Sequence, residues 1–293
     1  MINRSVSLIL PCYNEEESIK ETLDRVIEFM RSNFSDYEII VVNDASKDKT
    51  RSILDEYSGI TVIDHPYNKG NGSAVKTGIR NSKKDHVLMM DSDGQHDIND
   101  IIPMMELLDV YDCVVGSRTK SSEGSVHRNL ANIFYNWLAS YVTSVKIHDL
   151  TSGYRGFRTN VIKKFLYLFP NGFSYPTTST LAIIKAGYNL KYHPIVVSKR
   201  KGKSKIKLFR DGFRFLLIIV KITILFSPLK VFLPISLVFV FSGLFHMLYK
   251  IFVLNLRYTQ FTTFMISVGV IIFLIGLLSE QISTLRYDKL EED

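Results

Sequence analysis

Cysteine is scarce in this sequence, since Cys12 and Cys113 are the only two among 293 residues. Each lies in an apolar, strand-like run, so we expect both to be inert core residues. The opening residues, MINRSVSLILPCYNEE, also lack the long apolar stretch of a secretory signal peptide, because their apolar run is six residues long. We therefore expect the soluble part of the chain to stay in the cytosol, a reducing compartment in which disulfides are rare.

Two phosphate-binding fingerprints are missing as well. The glycine-rich stretch NKGNGSAVKTGI, residues 68–79, has neither the G-x-x-x-x-G-K-[ST] nor the G-x-G-x-x-G spacing, which disfavours a P-loop or a dinucleotide site. It still leads into a predicted helix, whose first N–H groups would suit a phosphate, with Lys69 and Lys76 nearby. The histidines form no spaced set of ligands, so we assign them no metal.

Acidic residues are almost absent between Lys199 and Lys230, a segment with ten Lys or Arg and one acidic residue, Asp211. A basic block of this kind suits the phosphates of nucleic acid or of a membrane surface. Two uncharged runs follow it, 19 residues at 231–249 and 22 residues at 258–279. A bilayer core needs about 20 apolar residues in a helix, so both runs are long enough to span a membrane. The basic block is therefore assigned to a membrane surface, and no nucleic acid partner is predicted.

The two predicted spans, at about 231–254 and 258–280, are joined by a short loop and therefore form a hairpin. Basic residues before the first span, with Arg286 and Lys289 after the second, predict that both flanks are cytoplasmic. We thus expect a multi-pass protein of the cell membrane with a cytoplasmic catalytic domain. Residues 207–228 place four basic side chains on one helical face and predict an amphipathic helix in the membrane interface, although a third span is left open.

The first 115 residues alternate apolar runs of strand type with helical patterns. The predicted strands are VSLILP (6–11), EIIVV (38–42), ITVI (60–63), HVLMM (86–90) and CVVG (113–116). Several are apolar almost throughout, which is typical of a parallel sheet covered on both faces. A helix is predicted between the first two, with Asn14 as its N-cap. This βαβ series indicates an α/β domain that binds ligands at the carboxyl ends of its strands.

The stretch HVLMMDSDGQHD, residues 86–97, ends a predicted buried strand with three aspartates. Asp91 and Asp93 are two residues apart and project to the same side if the chain is still extended there. Two carboxylates, with a carbonyl oxygen from Gln95, suit Mg²⁺ or Mn²⁺, which also bind substrate phosphates. Asp97 lies beyond the turn and is predicted to cap the next helix.

Other strand ends suit a nucleotide. Tyr13 and Glu15 follow the first predicted strand and Asp44 follows the second. Tyr13 would stack on a base, Glu15 would accept from a ribose hydroxyl, and Asp44 would accept from a base N–H. The alternative for residues 43–46 is a plain turn before a helix.

Seven motifs in order resemble the GT-A inverting glycosyltransferases of family 2: LPCYNEEESI, VVNDASKDKT, NKGNGSAVKTGI, MMDSDGQHD, VVGSR, DLTSGYRGFR and KRKGKSKI. The set is similar to the dolichyl-phosphate mannosyltransferase branch, which includes bacterial polyprenyl-phosphate glucosyltransferases. It covers roughly residues 5–210, and the apolar hairpin resembles the tails of such proteins. The resemblance implies an α/β, Rossmann-like GT-A domain at 1–206, an amphipathic helix at 207–228 and a transmembrane hairpin at 229–293.

The resemblance also assigns roles to individual residues. The nucleoside-binding positions are matched by Pro11, Tyr13, Glu15 and Asp44, to which we add Lys69 from the glycine-rich stretch. The metal and donor diphosphate are assigned to Asp91, Asp93 and Gln95. The acceptor phosphate is assigned to Arg118, Arg128, Arg200, Ser204 and Lys205, with Asn132 where a small hydroxyl residue is common. Asp149 matches an acidic position near the sugar; the alternative is a carboxylate that holds the TSG turn and pairs with Arg155.

These roles imply a metal-dependent, inverting transfer of a hexose from a GDP- or UDP-sugar to dolichyl or undecaprenyl phosphate at the cytoplasmic membrane face. Many relatives have a carboxylate in the segment that is SYPTTSTLAIIKAG here, residues 174–187, where Ser174, Tyr175, Thr177 and Thr178 are neutral. The sugar is therefore not assumed to be mannose. A processive polysaccharide synthase is disfavoured, because the only tryptophan, Trp137, lies outside a Q-x-x-R-W motif. A non-catalytic module that binds nucleotide sugars is a remote alternative, and a homo-oligomer is left open.

Overall fold

The computed structural model describes the backbone of residues 2–119, 126–172, 174–197, 208–254, 257 and 259–292. Side chains are described within these ranges except at 2–3, 126–132, 208–215 and 286–292. Two compact units result, Met1–Ile218 and Ile219–Asp293. The predicted acceptor residues Arg200, Ser204 and Lys205 lie outside the described residues, as do the side chains of Arg128 and Asn132.

The first unit is built on a seven-stranded sheet in the order β3-β2-β1-β4-β6-β5-β7. Its strands are β1 (Ile2–Cys12), β2 (Phe34–Asn43), β3 (Thr61–Asp64), β4 (His86–Met89), β5 (Cys113–Arg118), β6 (Arg155–Arg158) and β7 (Leu190–Ile195). All neighbouring pairs are parallel except those of β6, which runs antiparallel between β4 and β5. This mostly parallel α/β sheet confirms the predicted fold class.

Helices connect the strands of this unit: α1 (Ile19–Asn33), α2 (Thr50–Leu54), α3 (Asn71–Asn81), α4 (Ile101–Leu107), α5 (Val126–Thr143), α6 (Thr159–Lys164) and α7 (Tyr175–Lys185). Short 3-10 turns occupy Ile98–Asp100 and Leu166–Leu168. Helix α8 (Leu208–Phe226) follows the sheet, and α9 (Leu229–Phe252) and α10 (Gln260–Glu292) belong to the second unit.

The central strand β1 explains why its sequence is apolar rather than alternating. Leu8, Ile9 and Leu10 are all fully buried, because helices cover both faces of the sheet. Leu8 and Leu10 join a core cluster to which α1 adds an apolar stripe. Each such side chain stabilises the fold by about 1.5–3 kcal/mol relative to exposure. Cys12 and Cys113 are free and buried, which confirms their predicted position in the core.

The predicted N-cap Asn14 is wrong, because α1 begins five residues later, at Ile19, with Ser18 in the capping position. Asn14 instead has a positive φ of 53°, a left-handed conformation that asparagine tolerates better than most residues. Its side-chain oxygen accepts the N–H of Lys47 at 2.8 Å. By contrast, the predicted cap Asp97 is confirmed, since its carboxylate accepts the N–H of Asn99 at 3.0 Å.

The second unit contains the predicted hairpin helices. Leu229–Phe252 and Gln260–Leu285 are long and apolar enough to cross a membrane. Only 11% and 17% of their most apolar windows is buried, so most of these side chains face outward. A soluble core helix would bury them, whereas a bilayer accommodates an exposed apolar surface of this length. The described apolar part of α8, Leu216–Phe226, is shorter than a span, and its interfacial position stays a prediction.

The two hairpin helices approach closely at small residues. A Cβ added to Gly269 would lie 2.6 Å from the side chain of Val240, and one on Gly276 would lie 2.8 Å from Phe232. Ser236 donates its hydroxyl to the carbonyl oxygen of Gly269 at 2.8 Å. Small residues and interhelical hydrogen bonds are the usual means of holding helices together in lipid.

Gly72, in the first turn of α3, packs directly against another backbone segment. A Cβ at this position would lie 2.1 Å from the carbonyl oxygen of Pro170 and 2.5 Å from that of Gly172. Gly72→Ala should therefore lower the thermal unfolding midpoint in detergent by about 3–10 °C, because backbone atoms cannot rotate away. Gly172→Ala is the matched control, since a Cβ there meets nothing within 4 Å. Equal midpoints for both variants would contradict this packing.

Candidate active site

Polar loops follow β1 and β2 at the carboxyl edge of the sheet, where an open α/β domain binds its ligands. The N–H of Asn14 donates to the hydroxyl of Ser46 at 3.0 Å, and the N–H of Glu15 donates to that of Thr50 at 2.9 Å. These bonds join the two loops that carry the predicted nucleoside-binding residues. Tyr13 and Glu15 are half-buried there.

The aspartate motif lies at the same edge but is not extended. Strand β4 ends at Met89, and the chain turns at residues 92–93 with Gly94 at a φ of 73°. The prediction that Asp91 and Asp93 project to the same side required an extended chain, and the chain is not extended here. Their arrangement depends instead on Ser92, which is buried between them. Its hydroxyl donates to the carbonyl oxygen of Pro11 at 2.9 Å, and its own carbonyl oxygen accepts from Ser18 at 3.1 Å.

The two aspartates differ in exposure. Asp93 is 8% exposed, and its carboxylate accepts the N–H of Gln95 at 3.2 Å. The side chain of Asp91 is 38% exposed and lies 3.5 Å from Nε2 of His96. Within the described part of the chain, no group of three or more His, Cys, Asp or Glu side chains is arranged to hold a metal. Two carboxylates fit the kind of Mg²⁺ or Mn²⁺ site that takes its remaining ligands from water and substrate phosphates.

Arg118, at the end of β5, forms a two-pronged ion pair with Asp149. Its Nε and Nη2 atoms donate to the two carboxylate oxygens at 2.8 Å each, and Nη2 also donates to Thr151 at 2.5 Å. Burial alone would raise the pKa of Asp149, but the bonds from Arg118 outweigh burial and lower it. Arg155 is therefore not the partner of Asp149, but the other part of that alternative is confirmed, because Oδ1 of Asp149 accepts the N–H groups of Thr151 at 3.0 Å and Ser152 at 3.1 Å in the TSG turn.

Arg155 is fully buried and braces the loop that carries Asp149. Its guanidinium donates to the carbonyl oxygens of Ser152 at 2.5 Å and Leu150 at 3.1 Å, and also to hydroxyls of Ser179 and Thr180 on α7. Burial lowers its pKa. The loop residue Gly153 lies against the metal motif, because a Cβ there would be 3.0 Å from Oδ2 of Asp91.

Asp44 is buried at the end of β2 and accepts three hydrogen bonds. Nδ1 of His65 lies 2.6 Å from Oδ1, which also accepts the N–H of Lys69 at 2.8 Å. Oδ2 accepts the N–H of Gly70 at 2.7 Å. The ammonium of Lys69 lies 5.4 Å from the ring centre of Tyr67.

The predicted phosphate site at the start of α3 is wrong in this structure. The N–H groups of Gly72 and Ser73 donate to the carbonyl oxygens of Gly172 and Asn171, both at 3.1 Å. Lys76 donates to the carbonyl oxygen of Phe169 and the side chain of Asn171. Carbonyl groups from a distant segment thus take the place that the sequence suggested for a phosphate.

Ser92 and His65 were not among the predicted site residues. Ser92 looks like a spacer in the sequence, and only its burial shows that it anchors the aspartate turn. His65 offered a signal, because it directly follows β3 as Asp44 follows β2. Those strands are neighbours, so their next residues meet at the sheet edge.

The chain matches the family described as Glycosyl transferase family 2 over residues 7–166, more than half of its length. It belongs to glycosyltransferase family 2. A second match, described as the GtrB C-terminal hairpin, covers residues 227–285 and agrees with the position of α9 and α10.

Among family 2 relatives, a dolichyl-phosphate beta-glucosyltransferase of Trichomonas vaginalis is 36% identical over 140 residues, which cover 42% of each chain. An undecaprenyl-phosphate 4-deoxy-4-formamido-L-arabinose transferase of Edwardsiella ictaluri is 32% identical over 167 residues, or 55% of this chain and 51% of the relative. The chain spans about half the length of the curated relatives it matches.

The GT-A fold also appears in a solved structure. Glucosyl-3-phosphoglycerate synthase from Mycobacterium tuberculosis, in complex with Mn²⁺, uridine diphosphate and phosphoglyceric acid, superposes with a TM-score of 0.58. The match covers 75% of this chain and 78% of the other at 17% identity. At this identity the likeness shows the shared fold of the family 2 domain.

The Arg118–Asp149 pair should contribute to stability in a pH-dependent way. The folded pKa of Asp149 lies below its ordinary value of 3.8, so its stabilisation is fully present above pH 4 to 5 and is lost as the pH falls through the folded pKa. Asp149→Asn should destabilise the domain by about 3 kcal/mol at neutral pH, and this difference should shrink below about pH 4. Thermal unfolding in detergent between pH 3 and pH 7 measures it.

Asp36→Asn is the control for that series, because Asp36 pairs with Lys84 on the surface and is more than half exposed. Its midpoint should match the wild type at neutral pH. A difference for Asp149→Asn that stays constant down to pH 3 would contradict the charge pairing.

Proposed function

We propose that this family 2 protein transfers a hexose from a nucleotide sugar to a polyprenyl phosphate, with inversion at the sugar, at the cytoplasmic face of the membrane. One observation carries the proposal: the loop that carries Asp149, the partner of Arg118, lies against Asp91 of the metal motif, because a Cβ on Gly153 of that loop would be 3.0 Å from Oδ2 of Asp91. Burial would lower the pKa of Arg118, but the hydrogen bonds and charge of Asp149, with a smaller contribution from the charge of Asp91, raise it. Acidic metal ligands beside an arginine suit two phosphate-bearing substrates.

The relatives support the acceptor and the donor. The names of the two relatives above specify dolichyl phosphate and undecaprenyl phosphate. The solved synthase was crystallised with Mn²⁺ and uridine diphosphate. We carry both features to this chain as part of the proposal, with Asp91, Asp93 and Gln95 as the residues that would hold Mg²⁺ or Mn²⁺. When bound, such an ion would stabilise the negative charge that grows on the departing diphosphate.

The acceptor explains why a strong general base is unnecessary. A phosphate monoester has its second pKa near about 6, so its oxygens are largely ionised at neutral pH. Asp149 would be a weak base, because its pKa is lowered within the pair with Arg118. We therefore assign Asp149 to the orientation of Arg118, whose guanidinium would neutralise the incoming phosphate. Arg128, Asn132, Arg200, Ser204 and Lys205 are proposed to share the acceptor site.

The hairpin would bring the reaction to the bilayer. Both apolar helices belong to the second unit, and by the positive-inside rule the basic residues that flank them predict that their ends lie in the cytoplasm. The basic block at 199–230 would then lie where a lipid phosphate emerges from the membrane. The division into a catalytic domain at 1–206, an interfacial helix at 207–228 and a hairpin at 229–293 completes the proposal.

The direct test incubates the purified full chain in detergent with GDP- and UDP-hexoses, Mn²⁺ or Mg²⁺, and either dolichyl or undecaprenyl phosphate. The expected product is a lipid-linked monosaccharide phosphate, identified by mass spectrometry and lost on addition of EDTA. Transfer to a hydroxyl acceptor, with no sugar on the lipid phosphate, would overturn the proposal.

Asp93→Asn should reduce transfer by at least about 100-fold, because it removes a charge that holds the metal and the donor diphosphate. The control is Asp97→Asn, which removes a carboxylate from the same motif but affects only a helix cap. That variant should keep its activity and lose about 1 kcal/mol of stability. Full activity in Asp93→Asn, or equal losses in both variants, would contradict the metal assignment.

A further inference from the structure

The hydrogen bonds around Asp44 restrict what its carboxylate can recognise. A carboxylate has two oxygens with about four positions for accepting hydrogen bonds. Among the described residues, the donors to these positions are His65, Lys69 and Gly70. Two of the three reach Oδ1 and one reaches Oδ2, so at most one position, on Oδ2, remains for a further donor.

The histidine is held in place from both sides. Because a carboxylate only accepts, Nδ1 of His65 carries the proton that bridges to Asp44. On the other side of the ring, Nε2 lies 2.9 Å from the hydroxyl of Thr77 on α3. The side chains of His65 and Asp44 are 4% and 3% exposed. A ring buried and bonded at both nitrogens cannot turn away to release Oδ1.

The two candidate nucleotides present different donors to such a carboxylate. Guanine offers two adjacent donors, its N1–H and its exocyclic amino group, and binding both requires a free position on each carboxylate oxygen. Uracil offers a single ring N–H. Asp44 is almost fully buried, and a ligand donor left without an acceptor in a buried site lowers affinity.

We propose that His65, together with the N–H groups of Lys69 and Gly70, makes this site selective for a uridine over a guanosine nucleotide by leaving one acceptor position on Asp44. The proposal rests on the proposed function in taking the donor to be a nucleotide sugar, and on the assignment of Asp44 from the sequence as a contact of its base. His65 is thus a positioning residue for nucleotide selectivity, and the donor is a UDP-sugar.

The test measures binding of UDP and of GDP, each with MnCl₂, to the purified full chain by isothermal titration calorimetry. The wild type should bind UDP at least about 10-fold more tightly than GDP, since one donor of guanine is left unpaired. Equal binding, or tighter binding of GDP, would overturn the proposal without any variant.

Variants separate selectivity from folding. His65→Phe opens a position on Oδ1, so the preference for UDP should fall by about 3- to 10-fold, whereas His65→Gln keeps an N–H donor and should preserve it. His193→Phe is the control. His193 lies on β7, five strands from β2 in the sheet, and its Nε2 is 3.1 Å from the carboxylate of Asp100. An unchanged ratio of UDP to GDP affinity in a folded His65→Phe protein would refute the role of the histidine.

The binding test and the transfer assay fail independently. A preference for UDP without any lipid product would leave the selectivity inference standing and remove the proposed function. Lipid product made from a GDP-sugar in preference to a UDP-sugar would support the proposed function and overturn the selectivity inference.

Discussion

The buried hydroxyl of Ser92 is the interaction on which the candidate site most depends. It joins the turn after β4 to the carbonyl oxygen of Pro11 at the end of β1, and the carbonyl oxygen of Ser92 accepts from Ser18 at the start of α1. Three chain segments are thereby tied together at one point of the sheet edge. Buried polar groups are rarely left unpaired, so this arrangement fixes the turn that carries Asp91 and Asp93.

The same principle extends across the edge. Short polar side chains link each strand-end loop to its neighbour, as Thr50 does for the N–H of Glu15 and as Asp44 does for the loop that follows β3. Arg155 performs this task on the other side, where it binds two carbonyl oxygens of the loop that carries Asp149. These bonds connect the loops without a ligand, and a site arranged in advance favours catalysis by preorganised charge.

Most strands of the first unit could be predicted from the sequence, because buried parallel strands have continuous apolar runs of residues. The cap Asp97 was also readable, since it accepts from a residue two positions away. Asn14 and the start of α3 were misread for the opposite reason. Their partners, Lys47 and the segment 171–172, lie far along the chain and leave no local pattern.

For the charged residues too, the sequence identifies single residues but not partners that are distant along the chain. The resemblance to family 2 identified Arg118 and Asp149 separately, but only the fold shows that they neutralise each other and that Arg155 binds hydroxyl and carbonyl oxygens instead. An ion pair across 31 residues depends on how β5 and the loop before β6 meet in the sheet. Motifs shared with the family therefore identify candidate residues, whereas the fold at the carboxyl edge of the sheet shows which of them contact each other.

The central claim is that Asp91 and Asp93 hold a divalent metal together with the diphosphate of the donor. The most direct measurement is an anomalous diffraction map at the manganese edge from the full chain crystallised with MnCl₂ and the nucleoside diphosphate that it binds. The account predicts one peak in coordination contact with both the aspartate motif and the diphosphate. A nucleotide bound without a peak there, or a manganese ion bound elsewhere on the domain, would contradict it.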